Sequence, residues 1–248
     1  MTCESDLLVR GWSVPKRGEN MNNDQWGWSR KRGRIALADG ASTSSYSDTW
    51  ARILVMGFIW SSVKFFEDQE VFVENFLRLQ RQWHLSIPWA RLEKKGWNYA
   101  LKAKQGAHCT FLGVTLAENQ WKAVSLGDCN LFVVSDEGEV RLCWPFVSGD
   151  NFDNYPDLIP SVAGSPVEEM FQRMQRVCGK VNRRENLIIC TDALAAHLLK
   201  HKDNACLWQE LLAIETHSRE DFGLWVERLR SVNMRNDDTT AVVVGAPG

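Results

Sequence analysis

The sequence predicts an α+β domain: its strand-like segments fall in antiparallel groups, its helical patterns are grouped between them, and no linker divides the 248 residues. Three strand-like runs open the chain, at 7–14, 25–29 and 34–38, separated by the turn-rich stretches PKRGENMNND and RKRG. After Asp39 the period changes. TWARILVMGFIWSSVKFF and VFVENFLRLQRQW fit helices, the first with Ser47 or Asp48 as its N-cap and with apolar residues most of the way round, the pattern of a helix buried on more than one side. PWARLEKKGWNYALKAKQ reads as a third helix, begun by a proline suited to a first turn.

The period then shortens again. HCTFLGVTLA, QWKAVSLGD, NLFVVSD and EVRLCWPF read as four successive strands of an antiparallel meander, with AEN and DEG as hairpin turns. The stretch VSGDNFDNYPDLIPSVAGSP is rich in Gly, Asn, Asp and Pro, and so long a stretch inside a compact domain points to function. A flap-like irregular segment is therefore expected at about 147–181, within one domain spanning 1–248. After a further helix come the strand NLIIC, a helix in TDALAAHLLK capped by Thr191 or Asp192, helices in LWQELLAI and REDFGLWVERLRS, and a last strand, TTAVVVGA.

Composition narrows the function. A hydrophobic content of 44% supplies a substantial core and argues against disorder, and a net charge of −2 gives no broad basic surface for nucleic acid. Any anionic substrate must be met locally. The seven cysteines are an odd number without a close pair, and several lie in apolar runs such as LIICTD and VRLCW, as buried thiols of a reducing cytosol do. The longest apolar run, ILVMGFIW, is far short of a membrane span, and the opening MTCESDLLVRG lacks a signal-peptide core. A soluble cytoplasmic protein without a membrane or nucleic-acid partner is expected.

Five carboxylates share one local context. Asp39 follows IALA, Asp128 follows AVSLG, Asp192 follows LIICT, Asp237 precedes TTAVVV, and Asp24 precedes a weaker strand. Any one of them alone reads as a cap or turn former. As a set, carboxylates gathered at strand ends repel one another unless cations compensate them, which points to a hard-metal site of oxygen ligands for Mg²⁺ or Mn²⁺.

NNDQW, LADGAS, SLGDCN, CTDAL and NDDTTAVVV, in this order from about residue 9 to residue 245, resemble the motifs of the metal-dependent serine/threonine phosphatases of type 2C, in a form similar to a divergent bacterial branch. The resemblance implies a sandwich of two antiparallel β-sheets flanked by helices (α-β-β-α), with two Mn²⁺ or Mg²⁺ ions in a cleft at one end. It implies that Asp39 bridges both ions, that the Gly40 carbonyl binds one, and that Asp192 and Asp237 complete the ligands of the other. Asp24 would bind directly or through water, and Asp128 would hold a third, looser ion. Asp39, Asp192 and Asp237 would then serve catalysis through a metal-activated water, without a protein nucleophile, and Cys190 is read as strand core. Gly40 places no Cβ beside a cation, and ASTSS keeps side chains short there.

The chain also departs from the family pattern. Asn23 stands for a Glu, Ala193 for a Gly, and Cys129 and Asn130 for a Ser-Arg pair; Glu19 takes the place of the phosphate-binding arginine. Arg17, with Lys16 beside it, is the replacement expected to bind phosphate. The histidine that often follows the Asp-Gly motif is missing, and His108 is read as structural. Two function classes follow: an active phosphatase acting on phosphoserine or phosphothreonine in proteins, with a cognate kinase as a further partner, or a pseudophosphatase serving as a non-catalytic binding module. The retained aspartates favour the first; the missing arginine and histidine favour the second.

Overall fold

The computed structural model describes residues 7–61, 63–117, 120–152, 156–162, 164, 166–180, 182–216 and 218–245. Strands β1 (Leu8–Val14), β2 (Gln25–Ser29) and β3 (Arg34–Gly40) come first, followed by helices α1 (Ser47–Trp60), α2 (Gln69–Ser86), α3 (Trp89–Lys95) and α4 (Trp97–Lys104). Then come β4 (His108–Ala117), β5 (Gln120–Leu126), β6 (Asn130–Ser135), β7 (Val140–Trp144) and the two-residue β8 (Ile159–Pro160). Helix α5 (Val167–Arg173), β9 (Gln175–Lys180), β10 (Glu185–Cys190), α6 (Asp192–Lys200), α7 (Ala205–Ala213), α8 (Arg219–Ser231) and β11 (Thr239–Gly245) complete the order.

Two antiparallel sheets stack face to face. One runs β1-β11-β10-β6-β7 and the other β2-β3-β4-β5-β9, with β8 paired to β4. Strand periodicity sorts the side chains: Ile35, Leu37, Leu187, Ile189, Val242 and Val244 fill the space between the sheets, whereas Ala36 and Ala38 face α1, and Ile188, Cys190 and Val243 face α6 to α8. Runs such as NLIIC are continuously apolar because these strands are covered on both faces. The layers are helix, sheet, sheet, helix, the sandwich that the family resemblance implies.

Several local expectations change. The four strands from His108 to Trp144 do not form one meander: β4 pairs with β5 in one sheet, and β6 pairs with β7 in the other. The chain crosses between layers at Gly127, whose φ of 98° belongs to the left-handed region, and a Cβ there would lie 2.5 Å from Thr110 Cβ and 2.8 Å from the Asp157 carbonyl. The single helix expected from PWARLEKKGWNYALKAKQ is two, because the chain leaves helical geometry at Gly96 and restarts at Trp97. Helix α1 begins at Ser47 after Tyr46, which has φ 60°, and the Ser47 hydroxyl donates to Asn23 Oδ1 at 3.1 Å instead of capping the helix. That helix ends at Trp60, and a 3-10 turn covers Val63–Phe66.

Of the flap-like segment expected at about 147–181, the first half holds a 3-10 turn and β8; residues 153–155, 163, 165 and 181 lie outside the described ones. The second half forms α5, which buries Val167, Met170 and Phe171, and β9, an edge strand with no buried residue. An edge strand of that kind has no apolar face to give the period-two signal.

Gly127 sets where Asp128 stands, so Gly127→Ala is expected to cost about 2 kcal/mol or more through strain and overlap with Thr110. In a thermal melt this corresponds to a midpoint lowered by roughly 5 °C. An unchanged midpoint would show that the crossing tolerates a Cβ.

Candidate metal centre

Register brings the acidic strand ends together. Cys190 pairs with Asn130 on one side and with Ala241 on the other, so the residues just beyond these ends, Asp192, Asp128 and Asp237, emerge at the same end of one sheet. In the facing sheet Asp39 pairs with Thr110, and Gln25, next to Asp24, pairs with Ala38. One carboxylate oxygen each from Asp39, Asp128 and Asp192 lies within 4.8 Å of the other two. Hard, anionic oxygens at that spacing suit a divalent cation such as Mg²⁺ or Mn²⁺.

Asp24 sits deeper. Its Oδ2 accepts from Thr191 Oγ1 at 3.0 Å and Thr240 Oγ1 at 2.8 Å, while its Oδ1 is buried without a hydrogen-bond partner among the described residues. A buried, unsatisfied carboxylate oxygen is costly, and a cation is the partner its chemistry calls for. Asp237 stands at the rim: its Oδ1 accepts from the Asp238 N–H at 3.0 Å, and its Oδ2 lies 3.4 Å from Arg235. Asp192 Oδ1 accepts from the Ala193 N–H at 2.5 Å, and its Oδ2 is paired with the Arg235 guanidinium.

The electrostatics record the crowding. Burial, with Asp238 and Asp192 nearby, pushes the Asp24 carboxyl up to about 8, and burial together with Asp192 pushes Asp128 up to about 7. Asp39 is raised well above the usual carboxylate range by burial and then by Asp24, Asp192, Asp128 and Asp237. Arg235 is the guanidinium that faces these carboxylates, and it leaves the cluster strongly acidic, an environment that favours bound cations.

Gly40 is required by space. A Cβ there would lie 2.9 Å from the Asn23 carbonyl and 3.0 Å from Ser47, so the loop before β2 and the start of α1 close directly over the end of β3. Asn130 uses its amide to clamp the backbone of Phe146, accepting at 2.9 Å and donating at 3.1 Å. Cys129 contacts Thr110 Oγ1 at 3.2 Å, and burial holds the Cys109, Cys129 and Cys190 thiols well above the ordinary thiol range. Such thiols are not nucleophiles. His108 is half-buried, and desolvation lowers its pKa.

Arg17 stands apart from the carboxylate cluster. Its Nε and one terminal nitrogen hold Glu227 Oε2 at 2.7 and 2.6 Å, and its N–H donates to Asn236 Oδ1 at 2.7 Å. Lys16 pairs with Glu19 at 3.1 Å. Sequence reasoning missed three residues that the structure places here. Asp238 accepts from the Lys16 N–H at 2.9 Å and the Asn23 N–H at 2.7 Å, tying the loop before β2 to the loop before β11. Arg230, buried, donates to the carbonyls of Pro15 at 3.1 Å and Asp237 at 2.6 Å. Arg235 reaches into the cluster itself, and its place two residues before Asp237 was the only signal of it in the sequence. An apolar cavity of about 380 Å³, lined by Phe58, Phe65, Phe66 and Arg34, lies at the other end of β3 from Asp39 and holds none of these acids.

The protein phosphatase 2C family profile matches residues 11–233, ending just before the last acidic motif. The fold is similar to that of the serine/threonine phosphatase Stp1 from Staphylococcus aureus, with a TM-score of 0.62 and 13% identity over 98% of this chain and 96% of the other. It is also similar to the Mycobacterium tuberculosis serine/threonine phosphatase PstP/Ppp (TM-score 0.61, 14% identity, 98% and 100% covered). A third neighbour is PppA, described as a key regulatory component of T6SS in Pseudomonas aeruginosa (0.58, 15%, 98% and 98%). No curated protein matches the chain in sequence. Among the described residues no helix is long and apolar enough to cross a membrane.

The raised carboxyls fix the sign of the pH dependence. Between the ordinary carboxylate range and about 8 these carboxyls hold more protons in the folded protein than in the unfolded chain, so without metal their contribution to stability is greatest at low pH and falls as pH rises. In EDTA, a thermal midpoint lowered by roughly 5 °C or more between about pH 5 and about pH 8 is expected, with a shallower fall in Asp24→Asn. A midpoint that rises over this window would contradict the crowding.

Proposed function

We propose that this chain, which belongs to the protein phosphatase 2C family, is a cytoplasmic, metal-dependent phosphatase that hydrolyses phosphoserine and phosphothreonine in proteins. The observation that carries the reading is the convergence of Asp39, Asp128 and Asp192 near Asp24, whose Oδ1 has no hydrogen-bond partner among the described residues. Mn²⁺ or Mg²⁺ bound there would supply Lewis acidity, lowering the pKa of a water and neutralising phosphate charge.

Asp39 would serve both ions, the Gly40 carbonyl would add a neutral oxygen to one, and Asp192 and Asp237 would complete the protein ligands of the other. Thr191 and Thr240 hold the Asp24 carboxylate in place, so its other oxygen would be available to a cation, directly or through water. Asp128, on the crossing loop, would hold a third, looser ion. No cysteine takes part, because the thiols nearest the cluster are buried and protonated. The substrate is a phosphorylated protein, and the kinase that makes it is the natural second partner.

One observation favours the alternative, a non-catalytic pseudophosphatase: Arg17, expected to bind phosphate, is held by Glu227. Turnover decides between them. With Mn²⁺, hydrolysis of p-nitrophenyl phosphate and of a phosphothreonine peptide is expected, and it should disappear in EDTA. Asp39→Asn and Asp192→Asn should each lower kcat by roughly 100-fold or more while the fold is kept, and Asp128→Ala should be milder and rescued by higher Mn²⁺. Folded protein that binds Mn²⁺ without turnover would establish the pseudophosphatase.

A further inference from the structure

A phosphate dianion approaching carboxylates needs positive charge beyond the ions those carboxylates bind, and a guanidinium supplies it with two parallel donors. Arg17, Arg230 and Arg235 bond to the acids or to the loops that carry them, and their partners separate them. Arg17 is engaged by Glu227. Arg230 is buried and committed to the Pro15 and Asp237 carbonyls and to Glu227. Arg235 is different: it contacts the Asp192 and Asp237 carboxylates, and its side chain is 43% exposed.

Its backbone is held on both sides. Met234 is buried and its N–H donates to the Leu229 carbonyl at 3.0 Å, while Asn236 exchanges hydrogen bonds with the Arg17 backbone at 2.7 and 3.4 Å. The Cα is therefore fixed, and the long side chain can re-aim by rotation about its own bonds. On Asp192, Oδ1 is already taken by the Ala193 N–H, so Arg235 pairs with Oδ2, the oxygen left for a cation. A divalent ion and the guanidinium thus compete for one carboxylate oxygen. Displaced from it, a guanidinium that is 43% exposed and carried by a fixed backbone would be free to meet an anion approaching from solvent.

We propose that Arg235 is the phosphate-binding arginine of this chain, parked on Asp192 and Asp237 and released to the phosphoryl group when those carboxylates bind metal. This rests on the phosphatase reading above. It assigns opposite effects to one side chain: Arg235 opposes metal and favours phosphate. A purely structural role would weaken both.

Two calorimetric titrations test it without relying on turnover: Mn²⁺ into chelator-treated protein, and inorganic phosphate into Mn²⁺-saturated protein. Arg235→Ala is expected to bind Mn²⁺ roughly 2- to 5-fold more tightly, the scale of a partly exposed ion pair removed, and phosphate roughly tenfold or more weakly, the scale of a charge-assisted hydrogen bond. Arg235→Lys should restore most of the competition with Mn²⁺ but only part of the phosphate affinity. Weaker Mn²⁺ binding in Arg235→Ala, unchanged phosphate binding, or loss of phosphate affinity in Arg17→Ala instead would overturn the proposal. Wild-type protein that binds Mn²⁺ and turns over substrate while Arg235→Ala matches it removes this inference alone. Wild-type protein that binds no Mn²⁺ removes the phosphatase reading and this inference together.

Discussion

Mutual repulsion among five aspartates at one end of the sandwich is the constraint to which the rest of the molecule answers. Asp24 and Asp128 are raised to about 8 and about 7, and Asp39 well above the usual carboxylate range, because burial and like charge act in the same direction. Such an arrangement opposes folding, and it persists because rigid elements hold each acid from behind. The β-ladders fix the strand ends, Thr191 and Thr240 fix Asp24, and the Gly127 turn fixes Asp128. A site of this kind keeps its stability in reserve until cations arrive.

The loops around the acids are tied to one another. Asp238 receives the N–H groups of Lys16 and Asn23, Arg230 bridges Pro15 and Asp237, and Asn236 bonds the backbone of Arg17. The first and last acidic segments of the chain, more than two hundred residues apart, are thereby held as one unit. Two positions that depart from the family pattern take part in local architecture: Asn130 clamps Phe146, and Asn23 accepts from Ser47. These amides spend their hydrogen bonds on backbone and neighbouring side chains.

Much of this was legible in the sequence, for physical reasons. A carboxylate next to a strongly apolar run, as in LIICTD or IALADG, must leave the core where the strand ends, so the positions of Asp39 and Asp192 follow from hydrophobicity alone. Which strands share a sheet does not follow. The crossing at Gly127 depends on a left-handed φ and on contact with Thr110, and a hairpin-like sequence signal hides it. Strand β9 escaped because an edge strand need not alternate, and the break at Gly96 escaped because the strong helix formers RLEKK and ALKAK lie to either side of it and suggest one continuous helix. Arg235 was missed for another reason: its place two residues before Asp237 was visible, but the reach of a long side chain depends on loop geometry.

The central claim is that the acidic cluster is a metal centre. Anomalous scattering at the manganese edge, from crystals grown in millimolar Mn²⁺, tests it most directly. The account requires anomalous peaks bounded by Asp24, Asp39, Asp192 and Asp237, with the Arg235 guanidinium withdrawn from Asp192. A map without manganese at these carboxylates, and with Arg235 still paired to Asp192, would contradict it.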